Sequence, residues 1–287
     1  MESVVIDSNI VKINFTKFPI MPSAFVLIDK PPGITSFKAL NAIKKQLGTK
    51  RVGHAGTLDM SASGLIVAAA GKCTRLLPYI EAQDKVYTFD LHLGILTDTL
   101  EPTGNILKRD DKAERTAEEL NAVLQTFIGE IEQIPPAYSA IKIDGKRASD
   151  LALKGQNVEL KPRKITIYEL KICSERQIYC KCSKGTYIRS LARDIAEKLR
   201  TYGVAGNIRR LAIGNISVEQ ASGEPILPQE LLKWEIVNVS DENARKILNG
   251  LPVAHGLGEN LVFIANNEQV IAVAEAQNGY LVPKFLL

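Results

Sequence analysis

Residues 52–66 read VGHAGTLDMSASGLI, and the reading of this stretch decides what the rest of the chain is. It holds three glycines (Gly53, Gly56, Gly64), one histidine (His54) and one carboxylate (Asp59) among small side chains. Glycine gives backbone conformations and close approaches that a Cβ forbids, so the spacing predicts a tight loop entering the apolar run Leu65–Ala70. A carboxylate where a sharp loop meets the core is costly unless it has a partner or a task. The plain alternative is that Asp59 caps a helix starting just after it. Choosing between the two takes the remaining sequence.

At 287 residues, with 45% hydrophobic and 24% charged side chains, the chain is of ordinary globular make-up and long enough for a large core. The net charge is +4 but uneven. Residues 133–164 hold seven Lys/Arg against three acids, residues 181–210 eight against two, and residues 251–287 one against three. Two basic stretches on a near-neutral background point to a polyanion such as RNA, although solvated helix faces produce the same pattern. The first residues include Glu2 and Asp7 and no apolar core of a signal peptide, and no apolar run nears bilayer length. The cysteines (Cys73, Cys173, Cys180, Cys182) form no CxxC pair, and three scattered histidines give no metal-ligand spacing. A cytoplasmic protein with no metal, no cofactor and no membrane association is expected.

Along the chain, residues 1–22 are weakly patterned, with an edge strand expected around Val11–Phe15. Phe25–Ile28 reads as a short strand closed by Asp29–Lys30 and the Pro31-Pro32-Gly33 turn. Ser36 is placed to cap a helix whose apolar face is Phe37, Leu40, Ile43 and Leu47. Lysine beside a Pro-Gly turn could cradle phosphate, but no Walker spacing accompanies it. Val86–Ile95 alternates, with Tyr87, Phe89, Leu91, Leu93 and Ile95 on one face. Taken alone, Tyr87 is a core tyrosine. Residues 96–110 read as a polar loop, and Thr116 with Glu119 makes a capping box for a helix through Phe127. The segment from Gln133 interleaves Tyr138, Lys142, Lys146 and Arg147 around an Asp144-Gly145 turn, an exposed excursion suited to stacking and phosphate contact. Two strands near 165–172 and 177–182 follow. KGTYIRSLARDIAEKL then switches to helical period at Ile188, leaving Tyr187 and Arg189 at the junction. Residues 222–240 read as a linker with a short helix, and the tail has β-like runs near Val262, Val270 and Val282.

Four of these stretches, in order between Phe25 and Ser217, resemble the TruB family of tRNA pseudouridine synthases, the pseudouridine-55 enzymes: DKPPGITS (29–36), GHAGTLDMSASGL (53–65), QIPPAYSAIKIDGKR (133–147) and KGTYIRSLARD (184–194). The family usually has proline after its catalytic aspartate, and this chain has Met60. The resemblance implies an α/β (α+β) pseudouridine-synthase fold with a mixed, mostly antiparallel sheet. A catalytic domain would span 1–238, with an RNA-binding insertion at about 133–160, and a small PUA-like β-rich module would span 239–287. It also implies Asp59 as the catalytic carboxylate, Tyr87 against the target uracil, Arg189 paired with Asp59, and His54 holding the RNA loop open. Lys30, Tyr187 and Leu211 would line or support the pocket, and Tyr138, Lys142 and Arg147 would meet RNA. The expected partner is the T arm of tRNA, bound by a monomer.

The chemistry accounts for those residue types. Uridine becomes pseudouridine when its glycosidic C–N bond breaks, the uracil turns, and the sugar is rejoined through carbon 5. No redox change is involved. An ionised carboxylate attacks or takes a proton, a neighbouring arginine favours its charged form and fixes its rotamer, and an aromatic wall holds the base after it leaves the stack. Two other readings remain. A non-catalytic RNA-binding or RNA-folding protein would need the basic segment but not Asp59, Tyr87 and Arg189 together. A phosphate-binding hydrolase built on DKPPG would need carboxylates for Mg²⁺, and Asp84, Asp90 and Asp98 form no evident set.

Overall fold

A computed structural model describes residues 23–287 except Ala140, Asp144 and Asn157, with Gln46 and Arg147 described by backbone alone. The strand expected around Val11–Phe15 and the Asp144 half of the Asp144-Gly145 turn lie outside the described residues. In chain order come β1 (Phe25–Lys30), α1 (Ser36–Gln46), β2 (Val52–Ala55), β3 (Ser63–Ala70), α2 (Leu77–Glu81), β4 (Lys85–Leu93), β5 (Ile95–Thr97) and β6 (Ile106–Arg109). Next are α3 (Ala117–Gln125), β7 (Gly129–Gln133), β8 (Lys142–Ile143), β9 (Lys146–Arg147), α4 (Ala148–Ala152), β10 (Arg163–Ile172), β11 (Gln177–Cys182) and α5 (Ile188–Lys198). After β12 (Gly203–Ile213) and β13 (Ile216–Ser217) the chain forms β14 (Pro225–Ile226), α6 (Pro228–Leu232), β15 (Ile236–Asn238) and α7 (Asp241–Leu248). It ends in β16 (Val253–Ala254), β17 (Asn260–Asn266), β18 (Gln269–Gln277) and β19 (Tyr280–Leu286). Among the described residues no helix is long and apolar enough to cross a membrane.

Two compact units result among the described residues, each drawn from separate parts of the sequence: one takes Asp59–Leu65 and Glu81–Ser217, the other the described residues that remain. In the Asp59-bearing unit β12 is parallel to the start of β3 on one side and antiparallel to β4 on the other. From β4 the order continues antiparallel through β11, β10 and β7. The sheet is thus mixed and mostly antiparallel, as expected. The β4 alternation buries Tyr87, Phe89 and Leu91. It stops at Gly94, whose φ is +89° and whose missing Cβ would lie 2.9 Å from the Asp110 carbonyl. Ile95 therefore opens the β5–β6 hairpin instead of extending the strand, and the expected polar loop is in part a hairpin. Thr116 and Glu119 form the capping box of α3 as read. The expected excursion is present as the β8–β9 hairpin followed by α4.

In the other unit, β2 pairs antiparallel with β3 and β1 with β14. Thr35, not Ser36, caps α1, its hydroxyl accepting from the Lys38 N–H at 3.1 Å. Ser36 is buried, and its hydroxyl donates to the Leu58 carbonyl (2.9 Å) while accepting from the Leu58 N–H (3.0 Å). A side chain committed to that clasp is not available as a cap. Leu40, Ile43 and Leu47 are buried as read, but Phe37 is 64% exposed beneath Lys44 Nζ at 4.4 Å. At 100° per residue it lies about 90° round the helix from the middle of that stripe. The three β-like runs of the tail form one sheet in the order β15-β17-β18-β19-β16, its core built from Val237, Ile247, Val262, Ile264, Ala274 and Leu281. Burying each such branched aliphatic side chain contributes about 1.5–3 kcal/mol. Trp234 packs between Tyr79, edge to face, and a tilted Phe263, at centroid distances of 5.5 and 5.2 Å.

Candidate active site

A strand, not a helix, follows Asp59: the loop turns once, with the Ala62 N–H donating to the Asp59 carbonyl at 3.2 Å, and enters β3 at Ser63. That removes the helix-cap alternative for the aspartate. Gly64 sits opposite Arg210 in register with φ at +100°, and a Cβ there would meet the Arg210 carbonyl at 2.2 Å. Only glycine permits this approach, so the third glycine of the opening stretch is fixed by strand contact. The Asp59 side chain remains 43% exposed.

Arg189 is the second residue of α5, directly after Tyr187 and Ile188, and is 5% exposed. Its Nε reaches Asp59 Oδ2 at 2.9 Å and Glu101 Oε1 at 3.5 Å. Its other nitrogens donate to backbone, Nη1 to the Thr99 carbonyl and Nη2 to the Tyr138 carbonyl, each at 2.8 Å. A guanidinium held in-plane by two carbonyls has little rotational freedom, so the remaining N–H is aimed at the carboxylate. Glu101 is 16% exposed, and burial pushes its carboxyl above the usual range, with the nearby Asp59 charge pushing the same way. A Ser61 hydrogen bond and Arg189 pull it back down. Thr97 pins the glutamate's backbone by accepting its N–H (3.1 Å) and donating to its carbonyl (2.7 Å).

The segment entering the excursion is stapled to the start of α5. Gln133, 2% exposed, accepts the Tyr187 N–H (2.8 Å) and donates to the Tyr187 carbonyl (3.2 Å), and Ser190 Oγ donates to the Ile134 carbonyl (2.8 Å). Tyr187 itself is half-buried, and burial raises its phenol, with Arg163 and Arg189 opposing. Beyond the staple Lys142 is exposed on β8, and the side chain of Arg147 lies outside the described residues.

Tyr87 is 9% exposed on β4, and burial raises its phenol while the buried Arg210, hydrogen-bonded to it, lowers it. Leu211 is half-buried on β12. Lys30 and His54 fall in the other unit. There Lys30 is buried, with Nζ donating to the Pro31 (3.0 Å) and Ile34 (2.8 Å) carbonyls, and His54 pairs with Ala68 across β2 and β3. The Lys30 ammonium therefore serves the DKPPG turn itself. Asp98 receives the Asn105 N–H and side-chain amide and so holds its own loop, while Asp90 on β4 receives the Asn207 side-chain amide from β12 and so ties two strands together. Among the described residues no group of three His, Cys, Asp or Glu is placed to hold a metal ion.

The structure therefore unites Asp59 and Arg189, with Tyr187 within their electrostatic reach and the Tyr138 backbone on the guanidinium. Sequence reasoning missed Glu101, Gln133 and Arg210. A glutamate within TDTLEPTGN has no pattern to distinguish it, whereas Arg210 offered one weak signal, a charge inside a strand-like run.

Lys85, two residues before Tyr87 on the same strand, is 6% exposed, and its Nζ donates to the Glu81 and Gln83 carbonyls, the latter at 2.6 Å. Burial and then the Arg210 charge lower it to about 8. Since the folded value lies below the unfolded one, the unfolded chain binds the extra proton above pH 8, and stability rises with pH until the unfolded lysine titrates. Between pH 7.5 and 9.5 wild type should gain about 2 kcal/mol over Lys85→Met in urea unfolding. An unchanged or reversed difference would mean that the buried ammonium carries no such penalty.

Residues 44–188 match the family model described as TruB family pseudouridylate synthase (N terminal domain). The chain is 38% identical over 283 residues to tRNA pseudouridine synthase B of Aquifex aeolicus, covering 91% of this chain and 98% of that one. It is 37% identical over 270 residues to the protein of the same name from Borreliella burgdorferi, covering 89% and 95%. In fold it is similar to a chain of the crystal structure of a Cbf5-Nop10-Gar1 complex, with a TM-score of 0.67 at 21% identity over 99% of this chain and 93% of that chain.

Proposed function

The chain belongs to the TruB family of pseudouridine synthases, and on that premise we propose that it converts the T-loop uridine at position 55 of tRNA into pseudouridine, with Asp59 as the reacting carboxylate. The observation that supports this most is the 2.9 Å pair between Asp59 and the immobilised Arg189, in which the arginine is buried and the carboxylate still 43% open. The buried, doubly held arginine fixes the position of the carboxylate, and the open side of Asp59 leaves a reacting oxygen the free face that it needs.

In this reading the uridine leaves the stack and lies against Tyr87, with Tyr187 and Leu211 lining the pocket. Asp59 acts at the sugar or base as the C1′–N1 bond breaks. The uracil turns, C5 bonds to C1′, the proton on C5 departs to a base, and N1 takes up a proton in exchange, so the atoms balance without a cofactor. Arg189 holds the carboxylate in one rotamer through both half-reactions. Tyr138, Lys142 and Arg147 meet the T arm, with the PUA-like module at 239–287 adding RNA contact, and the enzyme works in the cytoplasm as a monomer.

The test is tritium release from a transcript labelled at C5 of uridine. Wild type should release one equivalent per tRNA, and a transcript with cytidine at position 55 should release none. Tight binding without release would make the chain an RNA-binding helper, and release from both transcripts would move the target elsewhere.

A further inference from the structure

Arg210 is a fully buried cation to which neither the resemblance nor the comparisons give a task. It is 1% exposed and lies on β12 between two strands, opposite Tyr87 on β4 and opposite Gly64 on β3. Its Nε donates to the Leu65 carbonyl at 2.8 Å, in a bond buried on both sides. Its guanidinium is also hydrogen-bonded to the Tyr87 hydroxyl. A buried guanidinium is costly to desolvate, and a well-packed apolar side chain in its place is often neutral or better for stability. Its backbone also sits against Gly64, where a Cβ would strike it. One residue therefore touches both the strand that bears the tyrosine and the strand that the Asp59 loop enters.

Resting on the reading above, we propose that Arg210 is a positioning residue for the isomerisation: it anchors the Tyr87 hydroxyl to the Leu65 carbonyl and so fixes the aromatic ring relative to the loop that carries Asp59. A hydrogen bond at the phenol's far end sets both the ring's tilt and its depth. The planar fork of arginine can serve a carbonyl and a hydroxyl at once, whereas the single ammonium of lysine meets them with poorer geometry. Lys85, the other cation nearby, already spends its ammonium on the Glu81 and Gln83 carbonyls.

The experiment combines kinetics with a direct probe of the contact in the full-length chain. In single-turnover tritium release, Arg210→Gln should slow the reaction roughly 100-fold and Arg210→Lys roughly 10-fold, with tRNA affinity unchanged. Tyr87→Phe, which removes only the hydroxyl, should by itself reproduce most of the Arg210→Gln loss. Adding Arg210→Gln to Tyr87→Phe should then cost less than about threefold more. Multiplying losses, or a fall in tRNA affinity in place of rate, would overturn the proposal. A ¹⁹F resonance from 3-fluorotyrosine at position 87 should move in Arg210→Gln and stay put in a Lys171→Gln control. If wild type releases no tritium but the resonance moves, the contact stands and the enzymatic reading has failed. A resonance indifferent to Arg210 defeats the inference whatever the activity.

Discussion

Asp59→Asn is expected to lower tritium release by roughly 10⁴-fold or more, with tRNA binding and melting temperature little changed. Asparagine keeps the shape and one oxygen able to accept the Arg189 Nε–H, so the 2.9 Å contact has a neutral counterpart. Glu101 still faces the guanidinium at 3.5 Å, so the buried cation is not left without an anion. The charge and the nucleophilic or basic oxygen are lost, and the reaction needs both. Single-turnover release beside a filter-binding titration separates the two effects. Residual activity above about a hundredth of wild type would assign the chemistry to another carboxylate, and Glu101, hydrogen-bonded to Ser61 two residues from Asp59, would be the one to test.

What the sequence disclosed follows from range. The Asp59 loop, the β4 alternation and the switch to α5 at Ile188 are local patterns, because strand and helix periods and glycine conformations act over a few residues. Arg189 could be placed at a strand–helix junction from the same signals, which left it either at the surface or paired with a carboxylate such as Asp59, and the resemblance favoured the pairing. The parts that escaped are those fixed by contacts distant in the chain. Ser36 has the chemistry of a cap, yet a carbonyl and an N–H twenty-two residues on claim its hydroxyl. Ile95 continues the alternation of β4, yet the approach of Asp110 to Gly94 ends the strand before it. Glu101 and Arg210 acquire meaning only from β-strand neighbours and from the guanidinium of a helix ninety residues away. The parity of a pattern tells which face a side chain shares, but not which distant partner is waiting there.

Arg189→Met should cost both function and fold, and the pairing of Arg189 with two carboxylates makes the losses separable. Removing the guanidinium leaves the Thr99 and Tyr138 carbonyls without their donor and Glu101 buried without its cation. Breaking one side of a buried pair typically costs about 3–5 kcal/mol, which urea unfolding at pH 7.5 should register. Catalysis should fall roughly 10³-fold as Asp59 loses its orientation. The Glu101 carboxyl is already raised by burial, and without Arg189 it rises further, so its charged form penalises the fold once pH exceeds the unfolded value. The penalty fades as pH falls toward the unfolded value of 4.5 and is gone below it, where the glutamate is protonated in both states, so the deficit of Arg189→Met should shrink as pH is lowered from 7.5 toward about 4. Glu101→Gln added to Arg189→Met should likewise restore part of the stability, because it removes the uncompensated charge. It should restore none of the activity, because Asp59 still lacks the donor that aims it. Recovery of both together would mean that Arg189 serves the fold alone, and recovery of neither would mean that the stability loss comes from the two orphaned carbonyls and not from Glu101.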